Sequence, residues 1–157
     1  MEALKKASLT KKLIVFASIL VFIISLTQDA FKTDYYENIK GEGTPAFLLL
    51  LIGWLDFGKA GTSWLANPLL LYSWVMLFKK PLFSTIAAFL SVLFSASFLL
   101  FSKIAANESV TYANITSREL GYWLWLTSCG IMSLGTIFIY FNKRQKVSLI
   151  TKHDLVE

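Results

Sequence analysis

Few side chains in this sequence carry reactive chemistry, and their types and spacing limit what they do. Cys129 is the single cysteine and His153 the single histidine among 157 residues. Thiol-disulfide exchange within one chain needs two thiols, and zinc or haem sites draw on several His or Cys ligands. No metal ligand set and no cofactor is therefore expected. A GxSxG elbow, an HExxH run and a phosphate-cradling glycine loop are missing from the sequence. Asp56 is left as a lone general-base candidate, and catalytic groups come in positioned sets. No catalytic residue is assigned, and an enzyme is disfavoured. Cys129 reads as a small packing residue, since a reactive thiolate needs a nearby cation or helix start.

The elements that hold these residues follow from composition. The chain is 55% hydrophobic and 16% charged, with a mean hydropathy of +0.59. A soluble domain carries about 25% charged residues, so this chain has too few to cover a water-soluble globule. It belongs in a lipid bilayer. The net charge of +5 does not point to nucleic acid, because Lys and Arg sit at the ends of apolar runs instead of among aromatics on a polar surface.

Uncharged stretches cover residues 13–28, 43–55, 60–78, 81–102 and 120–142. At about 1.5 Å per residue the second reaches only about 20 Å, short of the roughly 30 Å hydrocarbon layer. The sequence thus predicts an all-helical protein: four transmembrane helices in a bundle, over about 12–31, 62–78, 81–103 and 119–142. A short interfacial or re-entrant helix over about 45–57 precedes the second span, and a tail over 143–157 follows the last. Charge selects this threading. With four spans, ten Lys and Arg fall on the side of the termini and five on the other, while three acidic residues face seven. Cytoplasmic flanks collect Lys and Arg, so both termini are expected in the cytoplasm, in what reads as a bacterial inner membrane. The first span lacks a small-x-small cleavage site after Ser25 and is expected to remain as a helix.

Boundary signals suggest where helices start. Thr44 before Pro45 reads as an N-cap and first-turn proline, Pro81 follows Lys79 and Lys80, and Thr116 with Glu119 has capping-box spacing. Gly58 and Gly61 suit a turn between the short helix and the second span, and Pro68 should kink or restart that span. Small residues let helices approach closely in lipid. Ser84, Ala88, Ser91, Ser95 and Ser102 form one stripe of the third span; Cys129, Ser133 and Thr136, with Gly130 and Gly135 beside them, form another, and Ser18 and Ser25 a third. The segments 29–43 and 103–117 read as polar loops, the second carrying the sequons at Asn107 and Asn114.

This threading brings polar and aromatic residues to one boundary. Trp54, Asp56, Lys59, Trp64 and Asn67 from one hairpin should lie level with Arg118, Glu119, Tyr122, Trp123 and Trp125 from the other. One reading is a ligand or partner site in the outer leaflet, with Asn67 and the carbonyl freed near Pro68 as polar contacts. The other is an aromatic belt with exposed ion pairs, in which Asp56 and Lys59 neutralise each other. No charge falls at mid-bilayer in the first, third or fourth span, which disfavours an ion-coupled carrier. The function expected is binding, as an accessory or assembly subunit of a larger membrane complex, with a membrane-protein partner or a second copy of the chain. A small channel or carrier with a cleft at the outer leaflet comes second, and an enzyme on a lipid or lipid-linked substrate third.

Overall fold

The computed structural model describes residues 2–36, 39–105 and 112–154, with side chains described for 8–34, 43–104 and 113–142. In chain order the elements are α1 (Glu2–Leu26), β1 (Asp29–Tyr36), β2 (Ile39–Pro45), α2 (Ala46–Ile52), α3 (Ala66–Lys79), α4 (Pro81–Ser97), β3 (Lys103–Ala105), β4 (Tyr112–Arg118) and α5 (Leu120–Asp154). Short 3-10 turns over Gly53–Asp56, Ala60–Leu65 and Phe98–Leu100 join or extend the helices. The described residues are mostly helical. Three helical stretches, Ser8–Leu26, Pro81–Leu100 and Leu120–Asn142, are long and apolar enough to cross a membrane. A fourth is available only if Ala46–Asp56 and Ala60–Lys79, bent by 116° at their junction, act as one unit.

The expectation of an all-helical chain is corrected by a four-stranded antiparallel sheet of order β2-β1-β4-β3. Both stretches read as polar loops are strands. Lys32 pairs with Gly43 on one side and with Ser117 on the other, and Ile104 pairs with Ala113. The physical reason is visible in β1, where Phe31 and Thr33 are buried and Lys32 between them is exposed. That two-residue alternation, in residues that favour strands, matches a sheet with one covered face.

The sheet moves several expected boundaries. The last turn of α1 tightens through the amides of Thr27 and Gln28 donating to the carbonyls of Ile24 and Ser25, at 3.1 and 3.2 Å. The helix stops at Leu26, so Asp29 to Phe31 belong to β1 and not to the first span. The helical run from Pro81 ends at Leu100, before Lys103 opens β3. Thr44 lies in β2 opposite Phe31, and Pro45 stands at the start of α2 with no side-chain cap. The expected capping box does not form, because Thr116 lies in β4 and its hydroxyl donates to the Lys32 carbonyl, 3.2 Å away. Asn114 is an exposed strand residue, and the sequon at Asn107 lies outside the described residues. The backbone of α5 continues as helix through Asp154, past the point where the tail was expected to begin.

Within the bundle α1 lies along α5, α5 packs on α4, and α4 on α3. α3 and α4 are separated by Lys80 alone, whose extended backbone ends one helix while Pro81, lacking an amide donor, begins the next. The stripe of Ser84, Ala88, Ser91 and Ser95 is fully enclosed, as are Ser18, Ser25, Cys129 and Thr136. Ser102 is exposed beyond the helix, and a side chain at Gly130 would meet open space, so neither belongs to these packing faces. Gly135 does, since a Cβ there would collide with Ile14. Leu82, Phe89 and Leu93 of α4 and Leu13, Phe16 and Leu20 of α1 face outward.

Hydrogen bonds between helices fall at the serines. Ser128 Oγ donates to the Ser18 carbonyl at 2.8 Å, Ser18 Oγ lies 3.1 Å from the Ser128 carbonyl, and Trp74 Nε1 donates to Ser18 Oγ at 2.9 Å. One hydroxyl thereby ties α1, α3 and α5 together. Ser84 Oγ donates to the Ser73 carbonyl at 2.8 Å and closes α4 on α3. Ser18→Ala is expected to lower stability by about 1 kcal/mol, near the range measured for hydrogen bonds between helices in lipid. Thermal or denaturant unfolding in mild detergent measures it, and no loss would contradict the tie.

Candidate functional site

The chain between β2 and α3 folds back on itself. Gly58 adopts φ of +90°, a backbone state that L side chains avoid, and it reverses the chain between Gly53–Asp56 and Ala60–Leu65. Gly61 then lies so close to the other limb that a Cβ would stand 2.5 Å from the Gly53 carbonyl oxygen and 2.6 Å from Asp56 backbone atoms. Only glycine permits that approach. Trp64 Nε1 donates to the Leu50 carbonyl at 2.9 Å and binds the two limbs from the side.

This hairpin forms one wall of a cavity of about 380 Å³. The other walls are the C-terminal end of α1 at Phe22 and Leu26, the start of α5 at Gly121, Tyr122 and Trp125, and Phe98 at the end of α4. Ala30, Phe31 and Ile104 of the sheet form its roof. A rank of rings stands behind it, with Phe98 5.5 Å from Phe31 and 5.4 Å from Tyr122. The lining is apolar apart from a few groups whose partners lie within the chain. Ser25 Oγ donates to the Phe22 carbonyl and Ser63 Oγ to that of Ala60, while Tyr122 Oη donates to the Ser95 carbonyl at 3.1 Å. Asn67 Oδ1 accepts from Trp125 Nε1 at 2.9 Å. Asp56 differs: its Oδ2 is shut off from solvent with no hydrogen-bond partner.

Four of the residues singled out in the sequence, Asp56, Trp64, Asn67 and Tyr122, line this cavity, and Trp125 joins them. The other five lie elsewhere. Trp54 is 52% exposed, with its indole donating to the Leu51 carbonyl, and Trp123 is 47% exposed. Lys59 is exposed and does not supply the donor that Asp56 Oδ2 lacks. Arg118 caps a helix: its Nη2 donates to the carbonyls of Leu99 and Phe101 at 3.1 and 2.9 Å, where the run from Pro81 leaves carbonyls unpaired. Glu119 receives the Ser117 hydroxyl and pairs with Lys32 at 3.5 Å. The Ser117 bond first, then Lys32, holds its carboxyl below the usual carboxylate range. This pair joins β1 to the start of α5, where an acid also suits the helix N-terminus.

Phe22, Leu26, Phe31 and Ile104 are wall residues that sequence reasoning did not single out. For Phe31 and Ile104 the available signal was the alternation of Phe31, Lys32 and Thr33 and of 113–116, which places Phe31 under a sheet and brings Ile104 next to it. Among the described residues no group of His, Cys, Asp and Glu is arranged to hold a metal ion.

The Asn67–Trp125 bond links α3 to α5 at the cavity wall. Trp125→Phe removes the donor and leaves a buried amide oxygen unpaired, at an expected cost of about 1–3 kcal/mol. Asn67→Leu in the Trp125→Phe background should recover part of that loss. Additive losses in unfolding measurements would show the two side chains to be uncoupled. Comparison of the chain with protein-family models, with curated proteins and with solved structures gave no match.

Proposed function

We propose that this chain is a small integral membrane protein of the bacterial inner membrane that crosses four times, keeps both termini in the cytoplasm, and acts by binding as an accessory or assembly subunit of a larger complex. Two independent lines support the threading. Pairing of β1 with β4 draws the end of α1, the end of the helical run from Pro81 and the start of α5 to one face. Lys11 and Lys12 in the first half of α1 and Lys79 and Lys80 at the turn between α3 and α4 lie away from the sheet, with Lys143, Arg144 and Lys146 further along α5 in the same direction. Basic residues on one side and acidic loops on the other match the charge rule for membrane insertion.

The observation that carries the binding role is that the hydroxyls inside the bundle are engaged by the chain itself. Ser18, Ser25, Ser73, Ser84, Ser91 and Ser128 are fully buried and bond to backbone or to one another. Ser18, Ser73, Ser84 and Ser128 tie helices together, while Ser25 and Ser91 close onto their own helices; hydroxyls used in these ways do not line a route for a polar solute. What remains for interaction is the outward apolar face of the helices and the sheet at their end.

Two measurements test this reading. In a Cys129→Ser background, a membrane-impermeant maleimide added to intact cells should label Asn114→Cys on β4 and spare Lys80→Cys; labelling of position 80 would overturn the threading. Tagged protein extracted in mild detergent should carry a stoichiometric membrane-protein partner, and recovery as a lone monomer or a pure homo-oligomer would overturn the subunit role.

A further inference from the structure

We propose that the cavity beneath the sheet binds the primary ammonium group and one aliphatic chain of an amphiphile, the ammonium donating to Asp56. At about 380 Å³ the cavity falls within the roughly 300–1,000 Å³ typical of small-molecule sites. Phe22, Leu26, Leu49 and Phe98 give it an apolar lining suited to an alkyl chain. Ser25, Ser63, Asn67 and Tyr122 on the same wall already have partners within the protein. Two buried side-chain atoms lack one among the described residues, Asp56 Oδ2 and Arg118 Nε, and Arg118 is not on this wall. Among the described residues that line the cavity, Asp56 therefore carries the one buried side-chain acceptor without a partner. An oxygen left in that state is costly, the more so when charged, and a donor supplied by a bound molecule satisfies it.

The chemistry of the acceptor selects the donor. A carboxylate in a poorly solvated site is matched best by an N–H that also carries positive charge. A quaternary ammonium brings the charge without the N–H, and an alcohol brings a hydrogen without the charge. Among the described residues the rest of the lining holds no further buried side-chain atom without a partner, so one donor at one end of an apolar body completes the fit. Such a molecule reaches the site either as an aminophospholipid of the bilayer or as a free alkylamine. This inference rests on the membrane placement proposed above and not on a partner protein. Failed co-purification leaves it standing, and failure of the test below leaves the subunit role standing.

The test uses the full chain in maltoside detergent, with Trp64 and Trp125 fluorescence reporting the cavity. Dodecylamine should bind saturably and about tenfold or more tightly than dodecyltrimethylammonium or dodecanol. Asp56→Asn, which keeps the shape of the side chain, should erase that preference. Equal binding of the three probes to the unaltered protein would overturn the proposal without recourse to any variant, as would a preference that survives in a folded Asp56→Asn protein. In nanodiscs, phosphatidylethanolamine that displaces dodecylamine where phosphatidylcholine does not would identify the bilayer as the source. Dodecylamine binding unaffected by phosphatidylethanolamine would identify a free amine.

Discussion

Pairing of β1 with β4 governs the rest of the molecule, because it joins segments more than eighty residues apart in the chain through their backbones. Phe31 opposite Arg118 and Lys32 opposite Ser117 fix which way each strand faces. A slip by one residue would turn Phe31 toward solvent and Lys32 toward the bundle. The Glu119 amide continues the register by donating to the Ala30 carbonyl at 2.8 Å, so the direction in which α5 leaves the sheet is set by β1. Helices that diverge from one sheet must run side by side beneath it, and α1 and α5 do. The sheet also roofs the cavity, which ties its shape to the same register.

Beneath the sheet the dominant constraint is satisfaction of polar groups where water is scarce. In the bilayer where this bundle is proposed to sit, apolar surface gives helices little reason to prefer one another, and small residues and hydrogen bonds then decide the packing. The exchange between Ser18 and Ser128 and the closure of Ser84 on Ser73 serve that end. Arg118 applies the same logic at a helix end, offering a charged donor to carbonyls that have run out of amides. Against this pattern of internal closure, Asp56 Oδ2 and Arg118 Nε are the exceptions among the described residues, and the place of Asp56 in the cavity lining makes it the chemically informative one.

The sequence made some of this legible and hid the rest for identifiable reasons. Apolar runs, and the serine stripe from Ser84 to Ser95, announce themselves because helix periodicity is local: each residue's neighbours lie three or four positions away. The strands are harder to read. Charged residues interrupt 29–36, and the partner strand is distant in sequence, so the alternation of Phe31, Lys32 and Thr33 looks like an ordinary loop until Ala113 and Ile115 are placed beside it. The same gap explains the candidate site. Asp56, Trp64, Asn67 and Tyr122 stand out by type and share one wall, whereas Arg118 and Glu119, equally conspicuous, are drawn into helix capping and an ion pair by a sheet that composition did not reveal. Phe31 and Ile104, inconspicuous in type, enter the wall for that reason alone.

The most direct test of this account is a disulfide across the β1–β4 pair. In a Cys129→Ser background, Lys32→Cys combined with Ser117→Cys places two thiols on directly paired residues, within the separation a disulfide spans. Mild oxidation of native membranes should yield an intrachain bridge for this pair and none for Lys32→Cys combined with Thr127→Cys, further along α5. Absence of the first bridge, or equal formation of both, would contradict the pairing on which the fold and its cavity depend.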